Sequence, residues 1–450
     1  MRITGKKVLV VGLGRSGMAA ARLCLKKGAF TRATDILAER NSDIDELAAA
    51  GVGLSLGGHK QEDFNWAEIV VLSPGVDMRL PEIRQARANG ALVVGEMSLA
   101  YDDSSWPDIM ITGSNGKTTV STLISLILEA AGRKVFAGGN LGTPLSVALL
   151  DELAPDWAVL EVSSFQTDSA DNFKPRIGIV LNITPDHMDR YSSFNAYGDS
   201  KFKILAGQKN DDLAILCADD EQVRSRASLA PALILYYGKN EPESRYAAWL
   251  HDDCIVVRLP GRETVSLDIA GCQMRGDFNR LNLLAAAAAC LYAKVSPEVI
   301  REVIIKFKGL PHRLEKVGEV NGITYYDDSK GTNIGAVQAA LRALGRPSIV
   351  LLGGRDKNGD FRSLLPDLRS SANLAVCFGE AGPLIYSRLR ADFPCRLAAD
   401  MAAAVKAAHE AARENYAVLL SPGCASFDAY SGYARRGEHF TSLVKELENK

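Results

Sequence analysis

The sequence predicts an α/β protein of three domains: a Rossmann-like N-terminal domain, a central P-loop ATPase-like domain and a C-terminal Rossmann-like α/β domain. Three observations predict it. Short apolar runs of strand type alternate with helical patterns along the chain, as in parallel sheets covered by helices. Two glycine-rich strand–loop–helix units occur, at 6–28 and at 108–131. The chain has 450 residues, enough for about three domains. The expected boundaries are 1–96, 97–309 and 310–450.

In the first domain, KKVLVVG (6–12) reads as a buried strand and GRSGMAAARLCLKKG (14–28) as a helix ending at Gly28. TRATD (31–35) and EIVVLSPG (68–75) read as further strands, and the unit ends near VVGEMSLA (93–100). GLGRSG (12–17) has the GxGxxG spacing after a strand and before a helix, with Asp35 ending the next strand. Such a loop brings backbone N–H groups and a helix N-terminus to a diphosphate. That diphosphate could belong to a nicotinamide dinucleotide or to a nucleotide sugar.

The second domain opens with DIMIT (108–112), then ITGSNGKTT (111–119), then a helix. Val120, Leu123, Ile124, Ile127, Leu128 and Ala131 share one helical face, so this helix lies on a sheet. Lys117 and Thr118 stand where a phosphate-binding loop places its lysine and its Mg²⁺-binding hydroxyl. Ile111 occupies the position of the usual first glycine, and Gly113 makes a tighter loop. WAVLEVSS (157–164), RIGIVLNI (176–183) and LAILCADD (213–220) read as strands, and 240–272 as β ribbons. Glu161 ends one strand and His187 follows another, at the edge where parallel sheets bind ligands. A carboxylate and an imidazole beside a triphosphate suggest a metal site.

The third domain opens at GLPHR (309–313), whose Gly and Pro suit a linker. EVNGITYY (319–326) holds an Asn-Gly hairpin signal. SIVLLGG (348–354), LAVCFG (374–379) and AVLLSPG (417–423) read as buried strands.

Composition bounds the function. A net charge of −2 with interspersed signs argues against a nucleic-acid partner. No apolar run approaches a membrane span; LLAAAAACLYA (283–293) is short enough for a buried helix. Eight scattered cysteines without a CxxC pair suggest reduced thiols and a cytoplasmic protein. A nucleotide-dependent switch, a kinase or hydrolase, and an NAD-linked oxidoreductase stay open on these features.

The combination of motifs resembles the Mur ligases, ATP-dependent amino-acid ligases of peptidoglycan synthesis. TGSNGKTT (112–119), NITPDHMDRY (182–191), YGDSK (197–201), GDFNRLN (276–282), GLPHRLE (309–315) and YYDDSKGTN (325–333) carry the resemblance over nearly the whole chain. YYDDSKGTN, GGRDKNGDF (353–361) and SPGCASFD (421–428) are similar to the branch that adds D-glutamate to UDP-N-acetylmuramoyl-L-alanine. No DNPR stretch of the diaminopimelate- or lysine-adding type is present.

The resemblance implies roles. Gly113, Asn115, Gly116, Lys117, Thr118 and Thr119 would hold the ATP phosphates. Asn279 and Asn282 would hold adenine, Arg313 and Lys330 the phosphates, and Asp328 the ribose. Thr118, Glu161, His187 and a carbamylated Lys201 would serve two Mg²⁺ ions, with Lys117, His187 and Lys201 the catalytic set. On its own, Lys201 reads as a solvated surface lysine. Gly14, Arg15, Ser16, Asp35, Ser73 and Gly75 would hold the UDP part, and Asn140 the muramoyl part. Thr332, Lys357, Ser426, Phe427 and Tyr433 would receive D-glutamate. Ile36 and Leu37 depart from the family, since a polar Thr-Arg pair follows the aspartate in its best-known members. The resemblance implies a monomer that takes small-molecule substrates. Another amino-acid ligase of the same superfamily is the nearest alternative.

Overall fold

The computed structural model describes residues 1–140, 142–274 and 276–448. Its strands form three sheets, one per segment of chain. The first contains β1 (Lys7–Val11), β2 (Phe30–Asp35), β3 (Gly53–Leu56), β4 (Ile69–Leu72) and β5 (Leu92–Gly95), all parallel, in the order β3-β2-β1-β4-β5. The chain leaves β1 toward one edge and returns to β4 on the other side. A crevice therefore opens at the carboxyl ends of β1 and β4. The glycine loop lies there, and its composition has a steric cause. Gly12 has φ +86°, and a Cβ on Gly17 would collide with the Gly12 carbonyl. Ser73, just past β4, donates its hydroxyl to Gly12 O at 2.7 Å.

The second sheet holds β6 (Asp108–Thr112), β7 (Val135–Gly139), β8 (Trp157–Glu161), β9 (Ile177–Val180), β10 (Leu213–Cys217), β11 (Leu233–Gly238), β12 (Ala247–His251), β13 (Cys254–Arg258) and β14 (Val265–Asp268). Their order is β14-β13-β12-β11-β10-β9-β6-β8-β7. The β12–β13–β14 ladder is antiparallel, the ribbon expected at 240–272. β6 lies between β8 and β9, so the loop after β6 is flanked by the ends of both. The helix Lys117–Ala130 buries Val120, Leu123, Ile124, Ile127 and Leu128 completely. At about 1.5–3 kcal/mol per fully buried side chain, that stripe fixes the helix and the loop preceding it.

The third sheet holds β15 (Glu315–Val320), β16 (Ile323–Asp327), β17 (Ser348–Gly353), β18 (Ala372–Phe378), β19 (Cys395–Leu397) and β20 (Ala417–Gly423), ordered β15-β16-β20-β17-β18-β19. β15 and β16 form the hairpin, turning at Asn321 and Gly322, both with positive φ, as a tight two-residue turn requires. Among the described residues no helix is long and apolar enough to cross a membrane.

Candidate active site

The loop after β6 is built to leave its backbone N–H groups exposed to a ligand. Gly113 (φ +152°) and Gly116 (φ +89°) adopt conformations that L side chains rarely take. A Cβ on Gly116 would also lie 2.5 Å from Asn282 Oδ1. The strand ends pin the loop. Ser114 N donates to Asn182 O at 2.9 Å and Asn115 N to Asn182 Oδ1 at 2.8 Å. The helix that follows has neither a capping side chain nor an acidic residue in its first turn. Its dipole and first N–H groups are therefore uncompensated, which favours an anion.

Two lysines meet at one carbonyl. Lys117 Nζ donates to Gly113 O at 2.8 Å and to Ser114 O at 3.1 Å; Lys201 Nζ donates to Gly113 O at 3.0 Å. Lys201 is 1% exposed, with its ammonium 4.4 Å from the centre of the Tyr197 ring. Burial, then the neighbouring Lys117 charge, holds its amine well below the usual lysine range. Burial lowers Lys117 too, opposed by Glu161 and Asp186. The picture of Lys201 as a solvated lysine fails here. Its helix, Phe194–Phe202, is capped by Ser193 and turns Lys201 inward with Tyr197, four residues earlier.

Glu161, at the end of β8, is buried and accepts from Thr118 Oγ1 at 2.8 Å and from Asn140 Nδ2 at 2.7 Å. His187 has φ +56° and lies edge-on to Phe165 at 4.9 Å. Burial pushes its pKa down to about 4, against the pull of Asp186, so the imidazole is neutral near pH 7. A neutral imidazole, a carboxylate and a hydroxyl are a donor set that suits a divalent cation.

Between the second and third sheets, Asn115, Gly116, Thr119, Asn279, Arg313, Asp328 and Lys330 line one cleft. Asn282 abuts Gly116, and its buried Nδ2 has no hydrogen-bond partner among the described residues. An orphaned amide donor beside a phosphate-type loop fits a nucleotide. Arg313 is flanked by His312 (φ +61°) and Leu314 (φ +51°). Those unusual conformations are held by His312 Nδ1 and Asp327 Oδ2 at 2.6 Å and by Leu314 N donating to Asp328 Oδ1 at 3.2 Å. Burial raises the Asp328 carboxyl to about 7, opposed by the Ser421 hydroxyl. Burial lowers Lys330 to about 8, and its ammonium sits 4.2 Å from the Tyr433 ring centre.

Three family models match the chain. The Mur ligase middle domain matches residues 111–290, the Mur ligase MurD-like N-terminal domain residues 6–95, and the Mur ligase glutamate ligase domain residues 312–424. The chain belongs to the Mur ligase family. It is 39% identical to the UDP-N-acetylmuramoylalanine–D-glutamate ligase of Acidobacterium capsulatum, over 99% of this chain and 97% of that one. It is 40% identical to the enzyme of that name from Desulfosudis oleivorans, over 98% and 97%. Among solved structures it resembles a pseudomurein peptide ligase type C from Methanothermus fervidus, with TM-score 0.62 and 21% identity over 98% of this chain and 100% of that one. It also resembles MurF ligase from Thermotoga maritima in complex with ADP, with TM-score 0.61 and 18% identity over 99% and 96%. At these identities the structural likeness is one of fold.

The remaining residues of this Mur ligase are spread over three places. Gly14 and Arg15 line a groove with Thr143 and Pro144, which precede the helix Leu145–Leu150 after β7, beside Ser16. Ser73 lines another groove with Phe165 and Arg190, and Gly75 O accepts from Arg190 at 3.3 Å. The Asp35 carboxylate is taken up by the backbone N–H groups of Leu13 and Leu37, at 2.5 and 2.8 Å. Ile36 and Leu37 are 69% and 64% exposed. Thr332 and Lys357 share a cleft with Asp186. Ser426 is buried after β20, Phe427 is 63% exposed, and neither lines that cleft. Tyr433 lies with Lys330 and His312.

Sequence reasoning missed Asp186, Asn333 and Arg436. Lys357 Nζ donates to Asp186 Oδ1 at 2.8 Å. Asn333 Nδ2 donates to Asp186 Oδ2 at 3.2 Å and to Asn115 Oδ1 at 3.1 Å. Asp186 stands one residue before His187 in PDHMDR, a signal that was available. Arg436 is fully buried and clasps the ends of β16, β17 and β20 through Ser329, Gly353 and Cys424.

Proposed function

We propose that this Mur ligase joins D-glutamate to UDP-N-acetylmuramoyl-L-alanine at the expense of ATP, through an acyl phosphate. The observation that carries this reading is the match, over essentially the whole chain, to relatives named for that reaction. The geometry supports it. A buried Lys201, a half-buried Lys117, a helix N-terminus and an orphaned amide donor converge on one loop. Units 1–96, 97–309 and 310–450 then take the UDP moiety, ATP and the amino acid in turn. All the residues invoked come from one chain, which acts as a monomer.

The terminal carboxylate of the L-alanine attacks the γ-phosphorus of ATP, and ADP leaves. Phosphoryl transfer asks the protein for position and charge neutralisation rather than covalent help. Lys117, Arg313 and Lys330 supply positive charge around the phosphates. Asn279 and Asn282 hold adenine, Asp328 the ribose, and Asn140 the muramoyl part. The amine of D-glutamate then attacks the acyl carbon, and the tetrahedral intermediate expels phosphate. Thr332 and Lys357 meet the amino acid's carboxylates, with Ser426, Phe427 and Tyr433 nearby in sequence or space. Cleft walls from two sheets exclude water that would hydrolyse the acyl phosphate.

Thr118, Glu161 and His187 fit Mg²⁺ by the chemistry of their donors. Bound there, Mg²⁺ neutralises phosphate charge. Lys201 as an ammonium cannot ligate a cation. Its buried, low-pKa amine is a competent nucleophile toward CO₂: the nitrogen lone pair forms the N–C bond, one proton leaves, and a carbamate remains. That carbamate would add a carboxylate-like donor beside Glu161.

The test is ADP release from ATP, Mg²⁺ and UDP-N-acetylmuramoyl-L-alanine, with D-glutamate compared against L-glutamate, L-alanine and diaminopimelate. Release with D-glutamate alone supports the reading. Release with another amino acid keeps the mechanism and moves the specificity, and release with none overturns both.

A further inference from the structure

Lys357 and Asp186 form an ion pair across the boundary between the second and third sheets, with little solvent exposure on either side chain. The two charges belong to different units: Asp186 follows β9 of the second, and Lys357 follows β17 of the third. They differ in how firmly they are held. Asp186 also accepts from His187 N at 2.9 Å and from Asn333 Nδ2 at 3.2 Å. Lys357 stands on a flexible four-carbon stem, and its ammonium donates to Asp186 Oδ1 at 2.8 Å. The lysine is thus free to swing while the carboxylate stays fixed.

The cleft they share has Thr332 and Asn333 on its wall. Its other acids, Asp356 and Asp360, cap local turns through Gly359 N and Arg362 N. Asp186 lines the amino-acid cleft and is also tied to the phosphate loop, through Asn333, whose amide bonds both Asp186 and Asn115. An amino acid with a second carboxylate carries the same two charges as this pair, a carboxylate and an ammonium. Resting on the ligase reading, we propose that Asp186 binds the ammonium of the incoming amino acid, and that the Lys357–Asp186 pair is an internal stand-in which the substrate opens. Lys357 then takes a substrate carboxylate and Asp186 takes the nitrogen. Because Asp186 precedes His187 and shares the Asn333 amide with Asn115, the nitrogen is delivered toward the phosphate loop, where the acyl carbon forms.

The test compares D-glutamate with glutarate, which keeps both carboxylates and lacks the amine. The full-length protein is assayed at saturating ATP and UDP-N-acetylmuramoyl-L-alanine, as wild type and as Asp186→Asn. The variant should raise KM for D-glutamate about ten-fold or more, the loss expected when one partner of a buried charge pair is neutralised. Inhibition by glutarate should not weaken, since that ligand brings no nitrogen for Asp186 and no longer has to displace a charged partner from Lys357. Equal weakening of both would overturn the proposal and leave Asp186 as a support for Lys357; so would no change in either. If Asp186→Asn fails to fold, the wild type decides. Glutarate must bind at least about ten-fold more weakly than D-glutamate, and equal or tighter binding overturns the assignment. A wild type that releases no ADP with D-glutamate fails at the ligase reading instead, and removes the substrate named here.

Discussion

Asp328→Asn should make this protein more stable at pH 8 and worse at using ATP. Asp328 is enclosed, with Ser421 Oγ donating to it at 2.7 Å and Leu314 N at 3.2 Å. Burial lifts its carboxyl from 3.8 to about 7. At 1.36 kcal/mol per pH unit, keeping it ionised in the folded state costs about 4 kcal/mol. The sign follows from proton counting. Below about pH 4 the carboxyl is protonated in both states and contributes nothing. Between about 4 and 7 the unfolded chain has released the proton and the folded chain holds it, so stability falls as pH rises. Above 7 the full cost is present. The amide removes that cost but brings its NH₂ group toward one of the two donors, an offset of about 1–3 kcal/mol. The net gain at pH 8 is about 1–3 kcal/mol. Thermal midpoints of both proteins from pH 4 to 8 give the answer. The difference in favour of the variant should grow up to pH 7 and then level. A difference that is flat with pH would refute the buried-carboxylate argument. KM for ATP should rise about ten-fold if Asp328 holds the ribose as proposed.

Gly116→Ala should abolish nucleotide binding, because φ +89° and Asn282 Oδ1 at 2.5 Å leave no room for a methyl group; an ATP-induced thermal shift in the variant would contradict this. Arg436→Met should lower stability by about 3 kcal/mol, since the carbonyls of Ser329 and Cys424 lose buried donors, and Arg436→Lys should recover only part of it. Full recovery by lysine, read in thermal melts, would mean that charge rather than the guanidinium fork holds the three strand ends. Stripping dissolved CO₂ should lower turnover reversibly if Lys201 works as a carbamate, while Lys201→Ala should show no CO₂ dependence. Equal turnover of the wild type with and without CO₂ would remove the carbamate from the account.

Much of the fold is legible because parallel strands buried on both faces appear as short apolar runs, and their glycine loops have steric causes. Gly17 and Gly116 could be nothing larger. The ribbon at 247–268 and the Asn321-Gly322 turn follow from alternation and from φ > 0 at the turn. Lys201 was harder, because its burial is decided by Gly113 and Tyr197 rather than by its own helix pattern. The partner of Lys357 was hidden for a related reason. Asp186 lies 171 residues away and meets it only when two units pack. Ile36 and Leu37 show the converse case. Their departure from the family is plain in the sequence, and their exposure places two bare aliphatic side chains beside Asp35.

The most direct test of the acyl-phosphate account is isotopic. UDP-N-acetylmuramoyl-L-alanine labelled with ¹⁸O in its terminal carboxylate is turned over with ATP and D-glutamate, and the released phosphate is weighed by mass spectrometry. The account predicts one labelled oxygen in the phosphate for each ADP formed, because the attacking carboxylate oxygen leaves with phosphorus when the amide forms. Unlabelled phosphate accompanying amide product would contradict it.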